Sequence, residues 1–294
     1  MDWSHFEIAR RPFRPAVDTG SYFPSTGHEA ALATIASAYS RRDPVTLLDG
    51  LPGTGKSLVA RLWMERLPAE TPRVVLPNLK SPRSSDLLQA ILFDLNLPYR
   101  DLTEQELRLA VTEHLLSQST VLAIDEAQNL GPVALEELRL LGNIESQGGS
   151  ALFLLLVAQP RIHDLLKHSE SAGFKQRIGS QCRIEPLTLA ESEAYIRHQL
   201  KVAEREPSDV MDGDAVTLLA EACQGIPRLL NRAATCAAEL AASGEAEVID
   251  IEAALEALAR LGLGAKEEVE EVVVLKHPGK PRKPKAKVLR KRSA

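Results

Sequence analysis

A chain of 294 residues, 44% hydrophobic and 26% charged with a formal net charge of -5, can bury one large α/β core and a smaller satellite domain, which excludes a wholly disordered protein. Its three cysteines (Cys182, Cys223, Cys236) form no C-x-x-C pair and its seven histidines no metal-ligand spacing, so neither a disulfide framework nor a zinc ribbon is indicated. The first 14 residues lack the apolar core of a secretion signal and the longest apolar run, 151–158, is too short to span a bilayer, so a cytoplasmic protein without a transmembrane segment is expected.

Residues 1–28 mix prolines and aromatics without sustained periodicity and predict an extended arm held on the body by its rings. An alanine-rich helix over 28–39 follows, and an apolar strand over 45–48 leads into Gly50-Leu51-Pro52-Gly53-Thr54-Gly55-Lys56-Ser57. This segment fits the phosphate-binding pattern G-x-x-x-x-G-K-[ST]. Glycine lets the backbone curl until successive N–H groups face inward, and the helix starting near Lys56 aims its positive end at the same point. Gly50, Pro52, Gly53, Thr54 and Gly55 are thus expected to cradle a nucleoside triphosphate. Lys56 would reach its outer phosphates, and the Ser57 hydroxyl would ligate a bridging Mg²⁺.

A short strand over 73–76, a helix over 84–95 capped by Ser84 or Ser85, and a helix over 103–118 opened by a Thr103/Glu106 capping box come next. Strands alternating with helices imply a parallel sheet and an α/β class. The apolar strand 120–124 runs straight into Asp125-Glu126. Two acids there can divide labour, Asp125 on Mg²⁺ and Glu126 polarising a water. Adjacent acids also cap helices or face solvent, and the upstream loop is what favours the chemical reading. Beyond the next buried strand, 151–157, Gln159 would face the crevice at the carboxyl ends of the strands, where sensing the outer phosphate and capping the loop before Pro160 both fit.

The pattern becomes wholly helical after Pro186, with helices over 190–202, 214–223, 226–242 and 250–261. Pro227 falls near a first helical position, which holds Arg228 on a rigid turn from which it can reach back over a phosphate. The expected organisation is an arm, 1–28, a nucleotide-binding core, 29–186, a small helical lid, 187–264, and a disordered tail, 265–294. That tail is acidic at 267–271, then carries nine Lys or Arg and no acid over 276–294. It suits a nucleic acid or another polyanion, and equally the acidic body of the chain itself.

GLPGTGKS at 50–57, IDEAQNL at 124–130, LEELRLLGNIES at 135–146, LVAQP at 156–160, QRI at 176–178 and GIPRLLN at 225–231 occur in an order that resembles the AAA+ ATPases of the general secretion pathway protein A (ExeA) type. A looser likeness is to the transposition ATPases of the Mu B and TnsC kind. The resemblance, over about residues 3–262, implies a five-stranded parallel sheet flanked by helices, a helical lid, ATP and Mg²⁺ as ligands, and homo-oligomers in which each site borrows an arginine from a neighbour. Transferred by motif, it implies Lys56 and Ser57 on phosphate and Mg²⁺, Asp125 on the metal, Glu126 on the attacking water, Gln159 and Arg228 as sensors of the nucleotide, and Arg177 as the arginine supplied in trans. A lone arginine before an apolar residue is also an ordinary surface charge. The secretion-type relatives continue into a membrane helix and a peptidoglycan-binding region that this sequence lacks, which weakens a cell-wall role.

Three functions follow. The foremost is an ATP-hydrolysing oligomeric switch that remodels or assembles an unidentified protein partner. The second is an ATP-dependent DNA-binding adaptor of a transposition system, to which the DEAQN stretch, Lys80, Arg83 and the basic tail would contribute. The third is a nucleotide-gated scaffold with little turnover, which the presence of Glu126 disfavours.

Overall fold

The computed structural model describes residues 3–263 apart from 9, 81, 82, 147 and 148, and these belong to one compact unit. The acidic-then-basic tail expected over 265–294 lies outside the described residues.

Five strands, β1 (Val45–Gly50), β2 (Arg73–Leu76), β3 (Thr120–Ile124), β6 (Leu152–Ala158) and β7 (Ile178–Ile184), form one parallel sheet in the order β2-β3-β6-β1-β7. A two-stranded antiparallel turn, β4 (Glu145–Ser146) with β5 (Gly149–Ser150), stands apart. The three central strands are buried along their whole lengths, so β6 is a continuous apolar run and β1 and β3 are apolar except at Thr46, Asp49 and Thr120 instead of alternating. The edges are handled differently. Residues of β7 alternate in burial, and on β2 the half-exposed Val75 donates its N–H to the Asp94 carboxylate at 2.8 Å.

Helices cover both faces of the sheet. On one, α1 (Thr26–Arg41) and α2 (Lys56–Glu65) pack Ile35, Val59 and Trp63 against Leu48, Val121 and Leu155. On the other, α3 (Ser84–Asp94), α4 (Glu104–Ser117) and α5 (Pro132–Leu141) bury Leu88, Leu107 and Leu135 against Leu47, Ile124 and Leu156. Short helices α6 (Ile162–Leu165) and α7 (Ala172–Lys175) link β6 to β7. Local signals hold at α4, where Thr103 and Glu106 make the reciprocal capping box. They fail at α3, which was expected to be capped by Ser84 or Ser85. Its N-cap is Arg83, whose N–H donates to Asp86, because the acid three residues on reaches back to the free donor.

Helices α8 (Leu189–Val202), α9 (Gly213–Ala222), α10 (Pro227–Ser243) and α11 (Ile251–Leu261) build a separate apolar cluster, which also takes in Trp3, Phe6, Ile8 and Phe13. Small side chains set its geometry: Ala233, Ala234, Ala237, Ala238 and Ala241 on α10 and Ala254 and Ala257 on α11 are all buried, so these helices approach closely. Gly225 governs the entry to α10. It has φ +70°, its carbonyl accepts from Leu187 N–H at 2.8 Å, and a Cβ there would lie 2.0 Å from the Leu187 carbonyl oxygen.

A single carboxylate ties α8 to α1. Glu191 accepts from the N–H of Thr188 at 3.0 Å and of Thr26 at 2.9 Å, and these bonds hold its acid dissociation down at about 2 against an ordinary 4.5. A folded-state value below the unfolded one stabilises the protein fully above about pH 4.5, and that contribution disappears as the pH falls toward 2. Glu191→Gln should therefore lower unfolding stability at pH 7 and lose less on acidification than the parent does. Urea unfolding of both proteins at pH 7 and pH 3 measures this, and a constant difference between them at the two pH values would rule out the ionic role.

Candidate functional site

β1 ends at Gly50, and the chain turns through Gly53 (φ +85°) and Gly55 (φ +95°) before α2 starts at Lys56. Both glycines sit where a side chain has no room. A Cβ on Gly53 would meet the Arg228 Cβ at 2.8 Å, and one on Gly55 would meet His28 Nε2 at the same distance. The loop also closes on itself: Thr54, expected in the phosphate cradle, donates from Oγ to the Leu51 carbonyl at 2.9 Å and is buried. Lys56 is buried as well, and its ammonium donates to the same carbonyl at 2.8 Å. Burial pulls its ionisation below the usual lysine range, while Glu126 and Asp125 pull it back up.

The acids stand opposite. Ser57 Oγ donates to Asp125 Oδ2 at 2.5 Å, so a hydroxyl and a carboxylate converge in the way Mg²⁺ takes oxygen ligands alongside phosphate and water. The donor set therefore fits the metal, and the backbone cradle fits the phosphates of ATP. Glu126 has φ +53°, a left-handed conformation rare for a residue with a side chain, and donates its own N–H to Asp125 Oδ1 at 2.8 Å. Gln159 leaves the end of β6 and donates from Nε2 to Glu126 Oε2 at 2.9 Å. Arg228 comes from the other side: its N–H donates to the Gly53 carbonyl at 3.3 Å and its side chain lines the cleft.

A cleft of about 620 Å³ opens over this loop, bounded by arm residues such as Phe13 and Val17, by Tyr195 on α8 and by Asn231 on α10. That is room for a nucleotide. The structure brings Gly53, Gly55, Lys56, Ser57, Asp125, Glu126, Gln159 and Arg228 to one place. Arg177 is not part of it; in the link between α7 and β7 it donates to the Asn143 side chain instead.

Sequence reasoning passed over three residues here. His28 Nε2 bonds the Thr54 carbonyl at 2.8 Å, yet nothing distinguishes a lone histidine on an alanine-rich helix. Gln128 bonds Glu126 and Gln159, and its only signal is its place in the DEAQN stretch. Asp49, directly before the loop, is fully buried and pairs with Arg183 at 2.7 Å and His163 at 3.0 Å. Burial pushes its carboxyl up, but those hydrogen bonds outweigh burial and hold it below the usual range.

Residues 40–166 match the family model described as AAA domain. This stretch is an AAA domain. A curated relative, general secretion pathway protein A of Aeromonas hydrophila, is 32% identical over 232 residues, or 77% of this chain. The match spans 42% of that relative's length. Among solved structures, Cdc6p of Pyrobaculum aerophilum superposes with a TM-score of 0.66 at 20% identity, over 88% of this chain and 71% of its own. The ORC2 protein of Aeropyrum pernix gives 0.65 at 16%, over 88% and 71%, and the RuvB Holliday junction branch migration motor of Thermotoga maritima 0.57 at 18%, over 85% and 73%. Identities this low show the fold alone: an AAA+ P-loop sheet flanked by helices.

His28→Ala removes one buried hydrogen bond to the loop without touching the apolar cores. It should weaken ATP binding about three- to tenfold while the protein stays folded, the range a single bond of roughly 1 kcal/mol allows. Calorimetric titration of both proteins checks this, and equal affinities would show that the histidine does not brace the loop.

Proposed function

We propose that the protein hydrolyses ATP with Mg²⁺ and uses the cycle as an oligomeric switch that remodels or assembles a protein partner. The observation that carries this reading is the placement of Glu126, a fixed carboxylate at the mouth of a phosphate-type loop with a Ser57–Asp125 pair at its side. A scaffold that only binds nucleotide has no need of such a base. Bound ATP with Mg²⁺ supplies the scissile phosphoanhydride and a counter-charge for it. Lys56 and the loop N–H groups hold the outer phosphates, and Ser57 and Asp125 hold the metal. Glu126 takes a proton from water as the water oxygen bonds to the terminal phosphorus and the bond to the leaving diphosphate breaks. Gln159 orients Glu126, Arg228 reports closure of helices 187–264, acting as a lid, and Arg177 reaches the site of an adjacent subunit. The likeness to general secretion pathway protein A supports this class of function, and the free thiols of Cys182, Cys223 and Cys236 suit a reducing cytoplasm.

Lys56→Ala should abolish ATP binding, whereas Glu126→Gln should bind ATP at the parent affinity and turn it over about 10²- to 10⁴-fold more slowly. Nucleotide titration and phosphate release separate the two effects. Hydrolysis by Glu126→Gln at the parent rate would remove Glu126 from the chemistry.

Arg177→Ala is expected to keep ATP binding and to lose about 10³-fold in turnover, the usual scale for an arginine supplied in trans. Mixing it with Lys56→Ala should restore part of the activity, since an intact loop on one subunit then meets an intact arginine from another. Mixed oligomers with no recovery would exclude action across subunits.

A further inference from the structure

The Gln128 side chain has both ends of its amide engaged. Its Oε1 accepts the main-chain N–H of Gln159 at 2.8 Å, and its Nε2 donates to Glu126 Oε2. The oxygen's partner is a main-chain donor, so the orientation of the amide is fixed: only the NH₂ end can face the carboxylate. The residue is nine-tenths buried, and it lies in the 3-10 turn Ala127–Asn129 that follows β3. The same turn is anchored twice more through Asn129, which donates to Asn78 at 3.1 Å and accepts from Arg161 at 2.6 Å. Its attachments thus reach the chain beyond β2, beyond β3 and beyond β6.

Gln159 Nε2 donates to Glu126 Oε2 as well, so one carboxylate oxygen receives two amide donors. Both lone pairs of Oε2 are then committed, and Oε1 is the oxygen left to take a proton.

We propose that Gln128 is a positioning residue for ATP hydrolysis: it braces the end of β3 against the end of β6 and fixes the Glu126 carboxylate so that Oε1 faces the attacking water. This rests on the ATPase reading above. Gln128 does not line the cleft over the loop, so its removal changes how well the base is aimed and leaves nucleotide binding alone. Misplacement of a catalytic group by about an ångström lowers turnover on the order of 10²-fold.

Two variants separate the halves of the amide. Gln128→Leu removes both bonds, and Gln128→Glu keeps an acceptor for the Gln159 N–H but sets a second carboxylate against Glu126. Both should bind ATP at the parent affinity with the parent KM and show kcat reduced about 10- to 100-fold. Parental kcat in either one overturns the proposal, as does loss of ATP affinity in both, which would mean a merely structural role. A second measurement needs no turnover. In nucleotide-free protein labelled with ¹⁵N-glutamine, the Gln128 side-chain amide, identified by its absence from Gln128→Leu, should exchange slowly with solvent and become fast in Glu126→Ala. Fast exchange in the parent overturns the brace. If the parent proves unable to hydrolyse ATP, the ATPase reading fails on its own, and the exchange measurement alone then decides whether Gln128 holds Glu126.

Discussion

The register between three strands buried on both faces fixes where everything else can stand. Leu48 lies beside Val157 and Asp49 beside Ala158 across β1 and β6, while Ile124 lies beside Leu156 across β3 and β6. The strands therefore end at nearly the same level, and Gly50, Asp125 and Gln159 leave the sheet along a single edge. Parallel strands all present their carboxyl ends on one side, and the loops that leave there become the walls of a common crevice. A slip of one residue in β3 would turn Leu122 and Ile124 out of one apolar cluster and move the acid pair away from Ser57.

Around that edge, the phosphate loop is held by its neighbours as well as by its own bonds to the Leu51 carbonyl. His28 on α1 bonds the Thr54 carbonyl, the first turn of α10 bonds Gly53 through the Arg228 N–H, and Gly225 allows α10 to start where it does. The helices after 187 thus touch the loop through main chain as well as through the Arg228 side chain. Glu191, across α8 and α1, fastens the same helices to the start of the core a few residues from His28. A change in the loop has short paths to both, which suits the switch proposed above.

The charges close to the loop are arranged in opposed pairs at different depths. Lys56 loses hydration to burial and regains stabilisation from Glu126 and Asp125, while Asp49 behind it is answered by Arg183 and His163. Buried charges persist only when paired or hydrogen-bonded, so the environment of the loop is already compensated before a ligand adds its own charge. The left-handed backbone at Glu126 belongs to the same economy of space. It turns the chain sharply enough for Asp125 to face Ser57 while Glu126 faces Gln128 and Gln159.

Contiguous or short-range signals made much of this legible in the sequence. The loop is specified by adjacent residues, the central strands β3 and β6 by apolar runs, the α4 cap by Thr103 and Glu106, and the entry to α10 by Pro227, each a matter of local sterics or hydrogen bonding that a few neighbouring residues determine. The strand order, with β1 between β6 and β7, was not readable from periodicity, because pairing depends on which apolar faces meet after the chain has crossed over. The same holds for His28 under Gly55, Gln128 between Glu126 and Gln159, and Asp49 with Arg183 and His163. Each joins residues more than twenty positions apart, or depends on an amide whose partners exist only once β3 and β6 lie side by side. Local chemistry chose the residue types and the turns, whereas the contacts that aim them come from packing, which no short window of sequence contains.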